Sequence, residues 1–121
     1  MVKMRTVTKS GWKKFYLANG AHSSKSYAHP LIVLITLPME QGEGPRVGVA
    51  AGRSVGKAVQ RNRAKRLLRA AIRPYLNSID PGRDVLLIAR RPLLGAPFQQ
   101  IEAGLFNLLM KAGLLTESYD S

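Results

Sequence analysis

Nine Lys and Arg residues fall between positions 44 and 79 with no Asp or Glu among them: Arg46, Arg53, Lys57, Arg61, Arg63, Lys65, Arg66, Arg69 and Arg73. Cations at that density suit one kind of chemistry, the binding of a polyanion, because their mutual repulsion destabilises a fold until a partner neutralises it. Arg outnumbers Lys in the run, which favours bidentate contacts to phosphate. Wound at about 100° per residue, Ala64, Leu67, Leu68, Ala71 and Tyr75 share an arc of roughly 100°. Arg61, Asn62, Lys65, Arg66, Arg69 and Arg73 share an arc of roughly 140° on the other side, with Arg63 at its border. The pattern predicts one helix with an apolar face for a core and a guanidinium face for phosphates. No acid is present to give it i,i+4 ion pairs.

Other chemistries find little support. The run Gly52-Arg-Ser-Val-Gly56-Lys57 resembles a phosphate-binding loop but fails its rule, which sets four residues between the glycines and Ser or Thr after the Lys. Here three intervene and Ala58 follows. His22 and His29 stand seven apart in a Ser-rich stretch with no carboxylate beside them, so they read as exposed or as phosphate contacts rather than metal ligands. No nucleophile–base triad or carboxylate pair is evident. The absence of Cys excludes disulfides, a zinc ribbon and thiol chemistry. Trp12 and Tyr16 lie four apart, hence on one helix face, beside Lys13 and Lys14. Two readings stay open for them: core packing, or a platform on which unpaired bases stack.

The elements that must position these groups fit one domain over residues 1–121, with 19 Lys and Arg against 7 Asp and Glu and a net charge of +12. Residues 1–10 read as a flexible basic arm and 116–121 as a polar tail. A short helix is expected over 11–19, ended by Gly20, then a loop to Pro30. Strands are expected over 31–37 and 46–51, joined by the Gly-rich turn 41–45 as an antiparallel hairpin. The basic helix follows from about Gly56 to about Leu76. A third strand over 84–90 is apolar enough to be central. After a loop over 92–97, a last helix runs from Phe98 to Ala112 with Phe98, Ile101, Leu105, Leu108, Leu109 and Ala112 on one stripe, closed by Gly113. The order αββαβα indicates an α+β two-layer sandwich. No apolar run approaches the roughly 20 residues of a membrane span, and no secretory signal is visible, so the expected compartment is the cytoplasm.

Two stretches are specific enough to carry a resemblance. Arg46-Val-Gly-Val and Val55-Gly-Lys-Ala-Val-Gln-Arg-Asn-Arg-Ala-Lys-Arg-Leu-Leu-Arg69 closely resemble the signature of the bacterial ribonuclease P protein subunit. Its core pattern, Ala-Val-x-Arg-Asn-Arg-x-Lys-Arg-x-x-Arg, is whole at positions 58–69. The resemblance extends to the aromatic helix ending in Gly20, the Pro-Gly82 turn before Ile-Ala-Arg90, and the closing Lys-Ala-Gly-Leu. It implies an α+β fold with an unusual left-handed βαβ crossover. It further implies that the catalyst is a partner RNA, which uses Mg2+ to hydrolyse the 5′ leader from precursor tRNA, with no metal held tightly by the protein and one protein per RNA.

Carried over by position, Arg61, Asn62, Arg63, Lys65, Arg66 and Arg69 match the RNA-binding motif, with Arg53, Lys57 and Arg73 beside it. Trp12 and Tyr16, with Lys13, match a cleft for the single-stranded leader between the N-terminal helix and the sheet. The chain departs from the family at Ile35, where a cleft Tyr is usual, and at Gly52-Arg53-Ser54, where Ser-Lys-Lys is common. The first helix is also one residue longer before Gly20. Two rival classes remain at this level: a purely structural RNA-binding protein of ribosomal type, and a peripheral membrane protein. The second fits poorly, because a membrane helix carries bulky apolar residues on its buried face, whereas Ala64 and Ala71 are small.

Overall fold

A computed structural model describes residues 3–6, 25–38, 46–80 and 83–115. Five strands form one mixed sheet: β1 (Lys3–Thr6), β2 (Lys25–Ala28), β3 (Ile32–Pro38), β4 (Arg46–Ala51) and β5 (Arg83–Ala89), in the order β1-β4-β5-β3-β2. Two helices, α1 (Ala58–Ile72) and α2 (Phe98–Lys111), complete the described α+β fold. The helix expected over 11–19 lies outside the described residues, as do the turns 41–45 and 81–82 and the tail 116–121.

β5 holds the middle of the sheet for a reason readable in its side chains. Val85, Leu86 and Leu87 are all fully buried, so both faces of this strand need cover. It runs antiparallel to β3, from Ile32 opposite Ala89 to Pro38 opposite Arg83. It runs parallel to β4, with Val47 beside Val85 and Ala51 beside Ala89. The expected hairpin of β3 with β4 is therefore not formed. A Gly-rich loop permits a hairpin, but pairing β3 with β4 would push the most apolar strand to an edge. Instead α1 carries the chain from β4 back to its parallel neighbour, the crossover that parallel strands require.

Two strands were not expected from the sequence. Residues 25–28 read as loop from their Ser and His content, yet β2 pairs with β3 from Lys25–Thr36 to Ala28–Val33. The turn between them is closed by His29 N–H donating to Ile32 C=O (2.8 Å) and the reverse bond (3.3 Å). The arm expected over 1–10 contains β1, whose backbone pairs in parallel with β4 from Lys3–Arg46 to Thr6–Val49. In both cases the partner strand, not local propensity, makes the strand.

Both helices lie on one sheet face. Ile32, Leu34, Val47, Val49, Val85 and Leu87 meet Leu68 and Ile72 of α1 and Ile101, Leu105, Leu108 and Leu109 of α2 in one core. The opposite sheet face carries a smaller buried group, Ile35, Ala50 and Leu86, flanked by Val33 and Ile88. The α2 stripe is buried as expected except for Phe98, which is 38% exposed at the first position of the helix. Gly113, at φ +64, ends α2 in a Schellman pattern: its N–H donates to Met110 C=O and Leu114 N–H to Leu109 C=O, each at 3.1 Å. Asp80 N–H then donates to Leu114 C=O (2.7 Å), tying the chain after α2 to the chain after α1.

Gly104 of α2 is fixed by close approach. A Cβ there would meet His29 Cε1 at 2.5 Å and Nδ1 at 2.8 Å. The imidazole is held in place, since Nδ1 accepts from Leu31 N–H (3.1 Å) and Arg90 Nη1 donates to the His29 carbonyl (3.2 Å). His29 is thus a structural residue of the β2–β3 turn. Gly104→Ala is expected to destabilise the protein despite the roughly 1 kcal/mol that Ala favours a helix interior over Gly. In a His29→Ala background the same change should become stabilising. Thermal melts of the four variants of this cycle give the coupling, and the same sign in both backgrounds would refute the contact.

Candidate nucleic-acid interface

The basic helix is launched by a tight turn. Gly52 is extended, Arg53–Val55 form a single 3-10 turn whose Val55 is buried, and Gly56 adopts φ 140. That φ is open to Gly and strained for other residues, and a Cβ at Gly56 would run into the Gln60 carboxamide. Lys57 is extended, and its N–H donates to Gln60 Oε1 (2.7 Å). The helix therefore begins at Ala58, two residues later than the periodicity suggests, because Gly56 cannot be helical there. The run that imitates a phosphate loop is this turn. At the other end α1 stops at Ile72 rather than Leu76, and Arg73–Ser78 continue as 3-10 helix. Pro74 has no N–H for the Ala70 carbonyl.

The two faces separate, with one shift. Ala64, Leu68, Ala71 and Ile72 are buried. Leu67 and Tyr75, expected in the core, are half-buried at its margin. Ile72 was assigned to neither face in the sequence; it lies about 40° from Leu68, within the cationic arc. Its burial rotates the core edge toward Arg61 and Lys65, which are half-buried. Arg53, Lys57, Asn62, Arg63, Arg66 and Arg73 are exposed, and Arg69 is half-buried.

Two shallow grooves run along the outward side. One, of about 410 Å³, is lined by Val59, Asn62, Lys65, Arg66 and Arg69. The other, of about 420 Å³, is lined by Arg66, Arg69, Ala70 and Arg73. Arg66 and Arg69 belong to both, so the grooves form a continuous track. Arg69 Nε is buried without a hydrogen-bond acceptor among the described residues. The first turn of α1 holds no acid, so the positive end of the helix dipole adds to the cations beside it. A strip of this kind matches the spaced negative charges of a nucleic-acid backbone. Arg53, Lys57, Arg61 and Arg63 surround the track without lining it. Val59 and Ala70 line it and were missed, because exposed apolar residues carry no signal in a search for cations.

Trp12, Lys13 and Tyr16 lie outside the described residues. Ile35, at the position of the family's usual cleft Tyr, is buried with Ala50 and Leu86 on the sheet face opposite the helices. His22 lies outside the described residues, and His29 is committed to its turn. Among the described residues no helix is long and apolar enough to cross a membrane.

Comparison with known proteins gives one consistent result. The family model described as "Ribonuclease P" matches residues 13–113. A ribonuclease P protein component from Chloroflexus aggregans is 46% identical over 85 residues, covering 68% of this chain and 63% of the relative. The match thus spans less than two thirds of that relative's length. One from Symbiobacterium thermophilum is 42% identical over 91 residues, covering 75% of this chain and 79% of the relative. The solved structure of the RNase P protein from Thermotoga maritima aligns with a TM-score of 0.69 at 25% identity, over 82% of this chain and 92% of that one.

The geometry of the track has a consequence for the free protein. An anion bound only by the folded state stabilises by mass action, about 2.7 kcal/mol at a hundredfold excess over Kd. Low concentrations of polyphosphate should therefore raise Tm by several degrees, where chloride at matched ionic strength does not. An Arg66→Ala/Arg69→Ala variant should stay folded, since the core face is untouched and truncating Arg69 removes an unsatisfied donor rather than a bond. It should lose most of the polyphosphate shift. An undiminished shift would place the anion elsewhere.

Proposed function

The chain belongs to the ribonuclease P protein family, and from that footing we propose that it is the protein subunit of a bacterial ribonuclease P. In this reading α1 lies on the catalytic RNA, and the opposite sheet face receives the 5′ leader of precursor tRNA. The holoenzyme then removes the leader by hydrolysis and leaves the mature 5′ end. The observation that carries the reading is the motif of residues 58–69 on α1, whose Asn62, Lys65, Arg66 and Arg69 line one track on the outward side of a helix pinned to the sheet by its other side.

The division of labour in this reading is the one the family resemblance implies. The Mg2+ that assists hydrolysis is assigned to the RNA by that resemblance, and the cationic α1 face, which repels a divalent ion, is compatible with the assignment. What the protein supplies is attraction and position. Arg66 and Arg69 offer paired N–H donors to phosphate oxygens, and release of the RNA's condensed counterions drives association. Trp12 and Tyr16, with Lys13, offer stacking and charge to an unpaired leader. Holding the leader raises affinity for precursor over mature tRNA, which has no leader to hold. One protein with one RNA is the simplest assembly of this kind.

The test is direct. Added to a bacterial ribonuclease P RNA at low Mg2+, the chain should stimulate cleavage of precursor tRNA, whereas a protein of ribosomal type would not. Arg66→Ala and Arg69→Ala should each weaken RNA binding and flatten its salt dependence, by about 0.7–0.9 in the log–log slope per phosphate lost. An unchanged slope in folded protein would remove phosphate from this face.

The leader contact has its own test. Trp12→Ala should lower the ratio of precursor to mature tRNA affinity, by an amount corresponding to roughly 1–3 kcal/mol per stacked base. If Trp12 is packing alone, both ligands weaken together through loss of folded protein, and the ratio stays constant at a temperature where the variant is folded.

A further inference from the structure

Val59 has no structural reason to be where it is. It is 77% exposed, and the other large apolar side chains exposed among the described residues, Phe98 and Met110, belong to α2. It stands in the first turn of α1, where a β-branched residue is a poor helix former and burial contributes little. A track for phosphates alone needs no apolar group. Yet Val59 lines the same groove as Asn62, Lys65, Arg66 and Arg69.

The spacing orders these groups. Val59, Asn62, Arg66 and Arg69 follow at steps of three, four and three residues, which sets them in one line along the helix. At 1.5 Å of rise per residue the steps are about 4.5, 6 and 4.5 Å. The line passes from an apolar surface, to a carboxamide that both donates and accepts, to two guanidinium groups. Asn62 is the one neutral hydrogen-bonding side chain among the five. The Arg69 Nε has no acceptor among the described residues. That sequence of chemistries is complementary to a nucleotide rather than to a bare phosphate: an apolar face for the base, an amide for its edge and cations for its phosphates.

Resting on the reading that α1 meets the ribonuclease P RNA, we propose that this groove takes one unstacked nucleotide of that RNA. Its base lies on Val59 with its edge toward Asn62, and its flanking phosphates lie on Arg66 and Arg69. Splayed, unpaired nucleotides are where RNA offers both a base face and an edge. Val59 and Asn62 then give the helix a preference for irregular RNA over a regular duplex, while the arginines give it affinity.

The experiment compares the full-length protein with its Val59→Ala, Val59→Leu, Asn62→Ala and Arg66→Ala variants. Each is titrated with ribonuclease P RNA and with a regular RNA duplex across a range of salt. Val59→Ala replaces Val with the better helix former, so folding is preserved, and melting curves verify it. It should weaken binding to ribonuclease P RNA by up to about fifteenfold, the loss of two buried carbons. Its salt slope and its binding to the duplex should not change. Val59→Leu should retain affinity, and Asn62→Ala should repeat the Val59→Ala pattern.

Equal affinity of Val59→Ala and wild type for ribonuclease P RNA would overturn the proposal. So would a loss shared equally by the duplex, which makes Val59 a support of the helix. The Arg66→Ala variant separates this from the broader reading. If it loses affinity and salt slope while Val59→Ala does not, α1 binds RNA through phosphates alone. If Arg66→Ala also binds as wild type, the assignment of RNA to this face fails as a whole.

Discussion

The rest of the structure depends on how α1 is held. Ala64, Leu68, Ala71 and Ile72 anchor it to the sheet, while the cations on its other sides have no acid in their own stretch of chain to pair with. Apolar burial, worth about 25 cal/mol per Å², must therefore hold a helix whose charges push outward. The small residues Ala64 and Ala71 bring the backbone close to the strands and let Leu68 and Ile72 reach the core. The same close seating fixes the direction in which Asn62, Arg66 and Arg69 project. Stability and the cationic display are thus set by opposite sides of the same fifteen residues, so one side can be altered while the other is kept.

The sheet converts that helix into a rigid platform. β5 is flanked by β4 and β3, so the two strands that carry α1 are internal and cannot fray as an edge does. The bond between Asp80 and Leu114, with the bridge from Ile79 to Leu115, links the C-terminal ends of both helices. At the far end, Arg90 N–H donates to Leu31 C=O (2.9 Å), and its side chain holds the His29 carbonyl. These ties involve none of the residues that line the cationic track.

Much of this was legible in the residues. The alternation of apolar and basic positions in 58–72 showed both faces of α1, and the all-apolar Val85–Ile88 run placed its strand at the centre. The motif at 58–69 supplied the family. What could not be read was decided by distant partners or by single backbone angles. β1 and β2 are short and polar, and become strands only beside β4 and β3. The start of α1 depends on φ at Gly56, and its end on the N–H that Pro74 lacks. Ile72 sits among cations by angle, so its burial follows from where the sheet lies rather than from the helix pattern. His29 looked like a solvent residue because the glycine that makes room for it is 75 positions away in sequence, at Gly104.

The place of β5 has a consequence for how the chain finds its fold. β3 and β4 precede it in sequence, lie close together along the chain, and are separated in the finished sheet by a strand that comes after both. Until residue 89 is available each has a native neighbour on one side only, β2 for β3 and β1 for β4, and their two open edges are free to meet each other. Direct pairing of β3 with β4 is therefore the natural kinetic trap of this sequence, and assembly requires the later strand to insert between them. Contacts across such separations are slow to form. A chain emerging from the ribosome must keep these two strand edges open, or part them again, before its basic helix is seated on the complete sheet.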